Sequence, residues 1–406
     1  MHRPAKFVVV HNGSRDGYQV AAALAEAGRL ECLVTDLYAP APLTLVAGFF
    51  ARRHHPAVPF RRVRTVWRVF AAQAAARALR LPLDRVFAVT DRWLAVRAAR
   101  EARRTGAGLL CYGSYVPPRK LSEGLKVIDF EYHPHPGATL DILARDHALY
   151  PEAAESFARE KREHHRIAPD EPWRRADSVI CASSMTRRSL EFAGCDPARI
   201  AVVPYGMDAA QTVSPRPPGE CRFLFVGQGI QRKGLHHLIR AWQARRRPGA
   251  SLTLVCYRLD PAIAALINDP AITVLLRRTP EELTELYRRA DVFVMPSLVE
   301  GFGLVYLEAL AHGCHVVGTN NTGLPDLDLG ADAATIVEPG DIATLDTALA
   351  DLSERKRSGA LDPQAIADRA GRWSWADFRR EIAVVLSAQQ AGQAPSSSAC
   401  LTRAGS

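Results

Sequence analysis

Two carboxylates, Glu300 and Glu308, flank the turn Gly301-Phe302-Gly303. A carboxylate is an acceptor of hydrogen bonds, and a pair held at fixed spacing suits vicinal hydroxyl groups such as those of a sugar or a ribose. Neither can bind phosphate, because like charges repel. The backbone between them can: free N–H groups from Gly303 to Val305, at the start of a helix, favour an anion. A second candidate is Gly227-Gln228-Gly229-Ile230-Gln231-Arg232-Lys233-Gly234, in which Arg232 and Lys233 would hold a diphosphate. A dinucleotide fingerprint needs glycine where Arg232 stands, and a Walker loop needs Lys and Ser or Thr where Leu235 and His236 stand, so both are excluded.

These residues need a scaffold, and the pattern supplies one. Asp291 to Met295 is a short apolar run of buried-strand type, Leu304 to Ala311 is helical, Gly313 stops the helix and His315 to Thr319 begins the next strand. The turn therefore lies at the carboxyl end of a parallel strand, where open α/β sheets bind ligands. Upstream, Arg222 to Val226 predicts a strand, Gly227 to Gly234 a loop and Leu235 to Arg246 a helix, followed by strands at Leu252 to Tyr257 and Ile272 to Leu275.

The first half repeats this layout. Lys6 to His11 predicts a strand, Asn12 to Gly17 a glycine loop in which Asp16 could cap the helix Tyr18 to Ala27, and Leu30 to Tyr38 the next strand. Further strands are expected at Leu109 to Tyr115, Lys126 to Tyr132 and Ser178 to Ala182, with helices near Trp93 to Arg103 and Pro151 to Arg166. A proline-rich break near residues 205–220 divides the halves. The expected architecture is α/β, two Rossmann-like doubly wound domains facing across a cleft: 1–208, an acceptor-binding domain; 209–372, a donor-binding domain; 373–387, a terminal helix packing back toward the N-terminal domain; and 388–406, a disordered tail.

Composition limits the function classes. At 406 residues, 48% hydrophobic and 23% charged, the chain is long enough for two cores and is neither disordered nor membrane-spanning. The apolar stretch after Lys6 is too short for a signal peptide, so a cytoplasmic protein is expected. The eight cysteines are scattered with no Cys-x-x-Cys pair, which predicts reduced structural thiols and no metal site. Residues 1–210 hold 31 Lys and Arg against 22 Asp and Glu, whereas residues 211–406 hold 21 of each. No acid lies between Asp36 and Asp84, where eight arginines alternate with Phe49, Phe50, Phe60, Trp67 and Phe70. An anionic membrane surface, met through residues 37–83 at the inner face of the membrane, fits this mixture. A nucleic acid backbone and a plain solvated Arg-rich face are the competing readings, and nucleic acid is not the expected partner.

The succession Phe225-Val226-Gly227, Arg232-Lys233-Gly234, Ala290 to Ser297, Glu300-Gly301-Phe302-Gly303 with Glu308, and Gly323-Leu324-Pro325-Asp326 resembles glycosyltransferase family 4, of the GT-B fold. The resemblance implies a retaining, metal-independent sugar transfer from a nucleotide diphosphate sugar, with no cofactor, to an acceptor that could be lipid-linked. By position, Glu308 would bind the donor ribose and Glu300 the transferred sugar near its reacting carbon. Gly301, Phe302, Gly303, Leu304 and Val305 would contact sugar and diphosphate, with Lys233 and Arg232 on the diphosphate. Gly13 would close on the phosphates from the other domain. His133 would face the sugar as a second catalytic residue, with His135 as the competing histidine. The family's usual Arg after the first glycine is Gln228 here, so Arg15 or Arg232 would take over its phosphate contact. An inactive sugar-nucleotide-binding protein of the same fold is the alternative to an enzyme.

Overall fold

The computed structural model describes residues 5–41, 48–167, 171–208, 213, 216–217 and 219–390. Short β-branched runs that are apolar on both faces become fully buried parallel strands, as Phe7–Val10 illustrates with four buried residues in succession. Seven such strands form the first sheet: β1 (Phe7–Val10), β2 (Leu30–Thr35), β3 (Val63–Thr65), β4 (Gly108–Tyr112), β5 (Val127–Glu131), β6 (Ser178–Cys181) and β7 (Ile200–Val202). Their order is β3-β2-β1-β4-β5-β6-β7. Six form the second: β8 (Cys221–Gly229), β9 (Ala250–Leu259), β10 (Ile272–Leu276), β11 (Val292–Val294), β12 (His315–Thr319) and β13 (Ala334–Val337), in the order β10-β9-β8-β11-β12-β13. Every pairing in both sheets is parallel.

The chain reverses direction across each sheet at one place, between β1 and β4 in the first and between β8 and β11 in the second. Such switch points open a crevice beyond the carboxyl ends of the strands. The N-terminal crevice receives the loop after β1 and the turn Gly113–Tyr115; the C-terminal crevice receives the turn Gln231–Lys233 and the segment 295–303.

Several local expectations are corrected. Residues 227–229 are not loop: β8 continues through Gly229, and only Gln231–Lys233 forms the turn before the helix Leu235–Gln243. The helix expected at 151–166 is present as Ala154–Ile167 after a one-turn start at Pro151–Ala153, and it is preceded by a helix that was not expected, Pro136–Leu149, which ends before Pro151. The arginine-rich stretch contributes an edge strand, β3, and the helix Trp67–Ala78. Asp16 does not cap a helix: its backbone is left-handed at φ 47°, and its carboxylate accepts from Tyr205 Oη at 2.9 Å. The last helix, Trp375–Gln390, runs past 388; the rest of the expected disordered tail, 391–406, lies outside the described residues, as does most of the proline-rich break.

That last helix lies on the N-terminal domain. Arg29 reaches the Leu386 carbonyl at 3.3 Å and Gln390 at 3.0 Å, Arg379 pairs with Glu26 at 2.9 Å, and Phe378 sits against Phe130 and Tyr205. The two passages between the domains run side by side: Met207 N–H donates to Trp373 O at 2.9 Å, and Trp375 N–H to Met207 O at 3.1 Å. A methyl group on Gly206 would collide with the Ser374 backbone there, so the close approach demands glycine.

Candidate active site

The two crevices meet. Gly301 O accepts from Ser183 Oγ and, at 3.2 Å, from Thr186 Oγ1, both beyond the end of β6. Ser184 N–H donates to Asp326 at 2.9 Å, and Arg188 to Asn320 O at 2.7 Å. Gly301 lies so close to the Tyr132 carbonyl that no β-carbon would fit. Behind it, Leu143 and Met185 of one domain bury Leu298 and Val299 of the other. A helical hairpin from the N-terminal side, 136–167, closes over the Gln231 turn: Asp146 accepts from Gln231 Nε2 at 2.8 Å, and Ser156 Oγ receives Gln231 N–H at 3.1 Å.

Glu300 is the centre of this meeting. Its N–H is bound to Asn321 O at 2.9 Å, and the neighbouring Leu298 N–H to Arg232 O at 2.9 Å, which straps the turn to the cationic loop. Its carboxylate is 8% exposed by residue and lies on the Lys233 ammonium and, at 3.2 Å, on the Arg232 guanidinium. Burial alone would raise its pKa, but the two cations overcome that and hold it well below the usual carboxylate range. Glu300 is therefore an acceptor at any neutral pH. Arg232 also approaches Glu160 of the hairpin at 3.5 Å, a neighbour that no motif in the sequence signalled. Two cations thus face two carboxylates.

His133 stands within reach of this group. Solvent reaches it through the cleft, yet the protein around its flanks, aided by Arg232, Arg15 and Lys233 and opposed by Glu300, lowers its pKa to about 4. The ring is neutral at neutral pH. His135 is engaged elsewhere. Its Nδ1 accepts from Gly137 N–H at 3.1 Å, capping the helix Pro136–Leu149, and its Nε2 meets Glu171 at 3.1 Å.

The other expected site residues divide. Gly303 (φ 91°) starts the helix Leu304–Ala311, whose first amides, at Leu304 and Val305, lack intrahelical acceptors. The Phe302 ring is buried edge-on against Tyr205 at 5.4 Å and packs between the domains rather than lining an opening. Glu308 is exposed on that helix, its carboxylate accepting from Tyr287 Oη at 3.2 Å, with the His312 ring stacked on Tyr287. Gly13 does not offer a free amide: its N–H goes to Asp36 at 2.9 Å, and Asp36 is paired with Arg53 at 2.9 Å. Arg15 lies over the face of Tyr132, 4.6 Å from the ring centroid, on the N-terminal wall.

One feature fell outside the sequence motifs, and another gives shape to the arginine-rich stretch. Asp146, His236 and His237 bring three ligand-type atoms within 4.8 Å of one another between the domains. His236 Nε2 makes a hydrogen bond with Asp146 at 3.1 Å, His237 Nε2 lies 2.8 Å from the same carboxylate without hydrogen-bond geometry, and both Nδ1 atoms lack the outer partner that metal-bound imidazoles have, so the cluster reads as a polar clasp. On the N-terminal domain, β3 and the helix Leu83–Thr105 enclose a groove of about 850 Å³ lined by Arg64, Arg68, Arg92, Arg100, Trp67 and Trp93. Trp67 there is 72% exposed. Among the described residues no helix is long and apolar enough to cross a membrane.

Residues 220–355 match the family described as Glycosyl transferases group 1. Glycogen synthase of Mycobacterium tuberculosis is 35% identical over 215 residues, covering 49% of this chain and 50% of that protein. D-inositol 3-phosphate glycosyltransferase of Nocardia farcinica is 31% identical over 268 residues, covering 60% and 58%. The chain thus spans about half the length of the curated relatives it matches. Among solved structures, sucrose-phosphate synthase from Thermosynechococcus elongatus superposes with a TM-score of 0.62 at 18% identity, covering 96% of this chain and 100% of that one. Anabaena HepE, in complex with UDP and glucose, gives 0.57 at 18% identity, covering 95% and 100%. At these identities the structural likeness speaks for the fold alone. Residues 220–355 thus match the Glycosyl transferases group 1 model, and they lie in a chain of two parallel-sheet, Rossmann-like domains of the GT-B fold.

Proposed function

We propose that this protein is a retaining, metal-independent glycosyltransferase of family 4 that takes a sugar from a nucleotide diphosphate sugar held by the C-terminal domain and passes it to an acceptor held by the N-terminal domain. One observation carries the reading: Glu300, ionised and pinned by Lys233 and Arg232, at the C-terminal switch point and facing neutral His133. In this reading the sugar hydroxyls bond to Glu300 and His133. Lys233, Arg232 and the first amides of the helix Leu304–Ala311 stabilise the leaving diphosphate as its charge grows. Glu308, open to solvent one helix turn further on, takes the ribose in place of Tyr287. The cations of the chain itself supply the stabilisation that a metal gives elsewhere.

A panel of nucleotide sugars, followed by calorimetry and by release of nucleoside diphosphate, tests the donor. Binding of none of them would overturn the proposal. Glu300→Gln should keep donor binding and lose most turnover. The anomeric configuration of the product, followed by NMR, tests retention, and unchanged turnover in excess chelator tests metal independence. For location, the arginine groove with exposed Trp67 supports attachment to an anionic membrane surface. Sedimentation with anionic vesicles should carry the protein down, and no sedimentation would sink that part.

A further inference from the structure

The loop after β1 is strained in an unusual way. Asp16, Gly17 and Tyr18 are all left-handed, at φ 47°, 58° and 67°, and two of the three carry side chains. For residues with a side chain such conformations are costly and persist where the surroundings impose them. Here the surroundings are evident: Asp16 is tied to Tyr205, and Tyr18 is fully buried against Tyr38 and His11. What the rigid loop presents is Arg15. The other cations near the cleft have carboxylate or carbonyl partners, as Arg232, Lys233, Arg53 and Arg188 show. Arg15 forms no hydrogen bond or ion pair with any described residue, and its guanidinium lies over the Tyr132 face.

The walls around it belong to one domain. Tyr112 ends β4, Tyr115 lies in the turn after it, Tyr132 follows β5, and Asp91 comes from the helix Leu83–Thr105. Tyr112 stands 6.0 Å from Tyr132, centroid to centroid. Asp91 Oδ1 is buried without a hydrogen-bond partner, and burial lifts that carboxyl to about 6, against Tyr115 and Arg15. Half-buried Arg15, Tyr132 and Asp91 stand at this end of the N-terminal crevice, backed by the buried rings of Tyr112 and Tyr115; the Asp16 and Asp91 carboxyls both act on the guanidinium, but neither forms an ion pair with it. The diphosphate cations lie across the cleft, on the other domain. The strained loop fixes the backbone at Arg15, and its guanidinium acts on His133 from the N-terminal side while Arg232 and Lys233 act on it from the other.

Resting on the glycosyltransferase reading above, we infer that the acceptor is a polyhydroxyl compound bearing an anionic group, which Arg15 grips, while Asp91 accepts a hydrogen bond from one of its hydroxyls. Arg15 is then a specificity residue for the acceptor and not a donor ligand. A guanidinium takes either carboxylate or phosphate in bidentate fashion, so both anions belong to the class.

The test uses the full chain saturated with the nucleoside diphosphate that binds it. Calorimetry compares glucose 6-phosphate, glycerol 3-phosphate and glucuronate with glucose and glycerol, and with inorganic phosphate as the ion alone. At least one anionic polyol should bind ten times or more tighter than its neutral counterpart and tighter than inorganic phosphate. Arg15→Gln should abolish that difference, Arg15→Lys should restore part of it, and Asp91→Asn should weaken the polyol but not phosphate. All of these should leave nucleotide affinity within twofold. Equal binding of charged and neutral probes, no binding of any probe, or tightest binding of inorganic phosphate would overturn the inference. So would a loss of nucleotide affinity in Arg15→Gln, which would return Arg15 to the donor. Failure of every nucleotide to bind the parent protein would instead refute the glycosyltransferase reading itself.

Discussion

Replacing Lys233 with Met exposes how finely charge is balanced around Glu300. In the parent, Lys233 and Arg232 face Glu300 and Glu160, so two cations balance two carboxylates beside the place where a diphosphate would sit. Without the ammonium, one negative charge is uncompensated. At about 6 Å and an effective dielectric constant of about 20, its repulsion of each diphosphate charge is about 3 kcal/mol. The lost charged hydrogen bond adds roughly 1.5 to 3 kcal/mol. Lys233→Met should therefore weaken nucleoside diphosphate binding by about a thousandfold or more. Adding Glu300→Gln removes the offending charge and should recover roughly a hundredfold of affinity, yet turnover should stay low because the sugar's acceptor has gone. Calorimetry of the parent, both single variants and the double variant closes the cycle. If the double variant binds no tighter than Lys233→Met, the charge-balance argument is wrong.

Three further outcomes are expected. Gly301→Ala has no room for its methyl beside the Tyr132 carbonyl, so the domains must separate there; turnover should fall at least tenfold with nucleotide affinity little changed, and unchanged turnover would contradict the contact. His11 is fully buried, and burial with help from Arg15 lowers its pKa from 6.5 to about 4, so between those values the unfolded chain binds a proton that the folded one does not. Stability should consequently fall on acidification from pH 6.5 to 4, by up to about 3 kcal/mol, and His11→Asn should flatten that part of the urea-midpoint profile. Asp146 accepts from Gln231 and meets His236 and His237 across the domains; Asp146→Ala should raise the radius of gyration in solution scattering and quicken proteolysis of the hairpin 136–167, whereas an unchanged profile would deny the clasp any part in closure.

The sequence disclosed what depends on local periodicity. Buried parallel strands are near-continuous apolar runs, so β1, β8 and β12 and the helix Leu304–Ala311 can be read directly, and with them the doubly wound architecture. The edge strand β3 could not be read, because Val63-Arg64-Thr65 is short and polar and pairs only through tertiary context. Among site residues, the relation of Glu300 to Arg232 and Lys233 was suggested by two separate loops that the fold brings together. Glu160, Asp91 and the Asp146 clasp were invisible because each is an ordinary polar residue on an amphipathic helix, and only packing gives it a partner. Gly13 shows the opposite error: the glycine is where a turn needs it, at φ 72°, but Asp36 already occupies its amide.

The return of the last helix to the first domain has a practical and a mechanical side. The N-terminal unit is discontinuous in sequence, so a fragment ending near residue 208 would leave Phe130, Tyr205 and the outer face of the helix Gln19–Glu26 bare, and should aggregate where the intact chain does not. The two connecting segments, zipped together by the Met207, Trp373 and Trp375 hydrogen bonds, act as a double strap. A single thread would let one lobe swivel about the other; a double strap permits bending in one plane and resists twist. Any relative movement of the lobes should therefore follow an arc that returns Gly301 to the same seat against Tyr132.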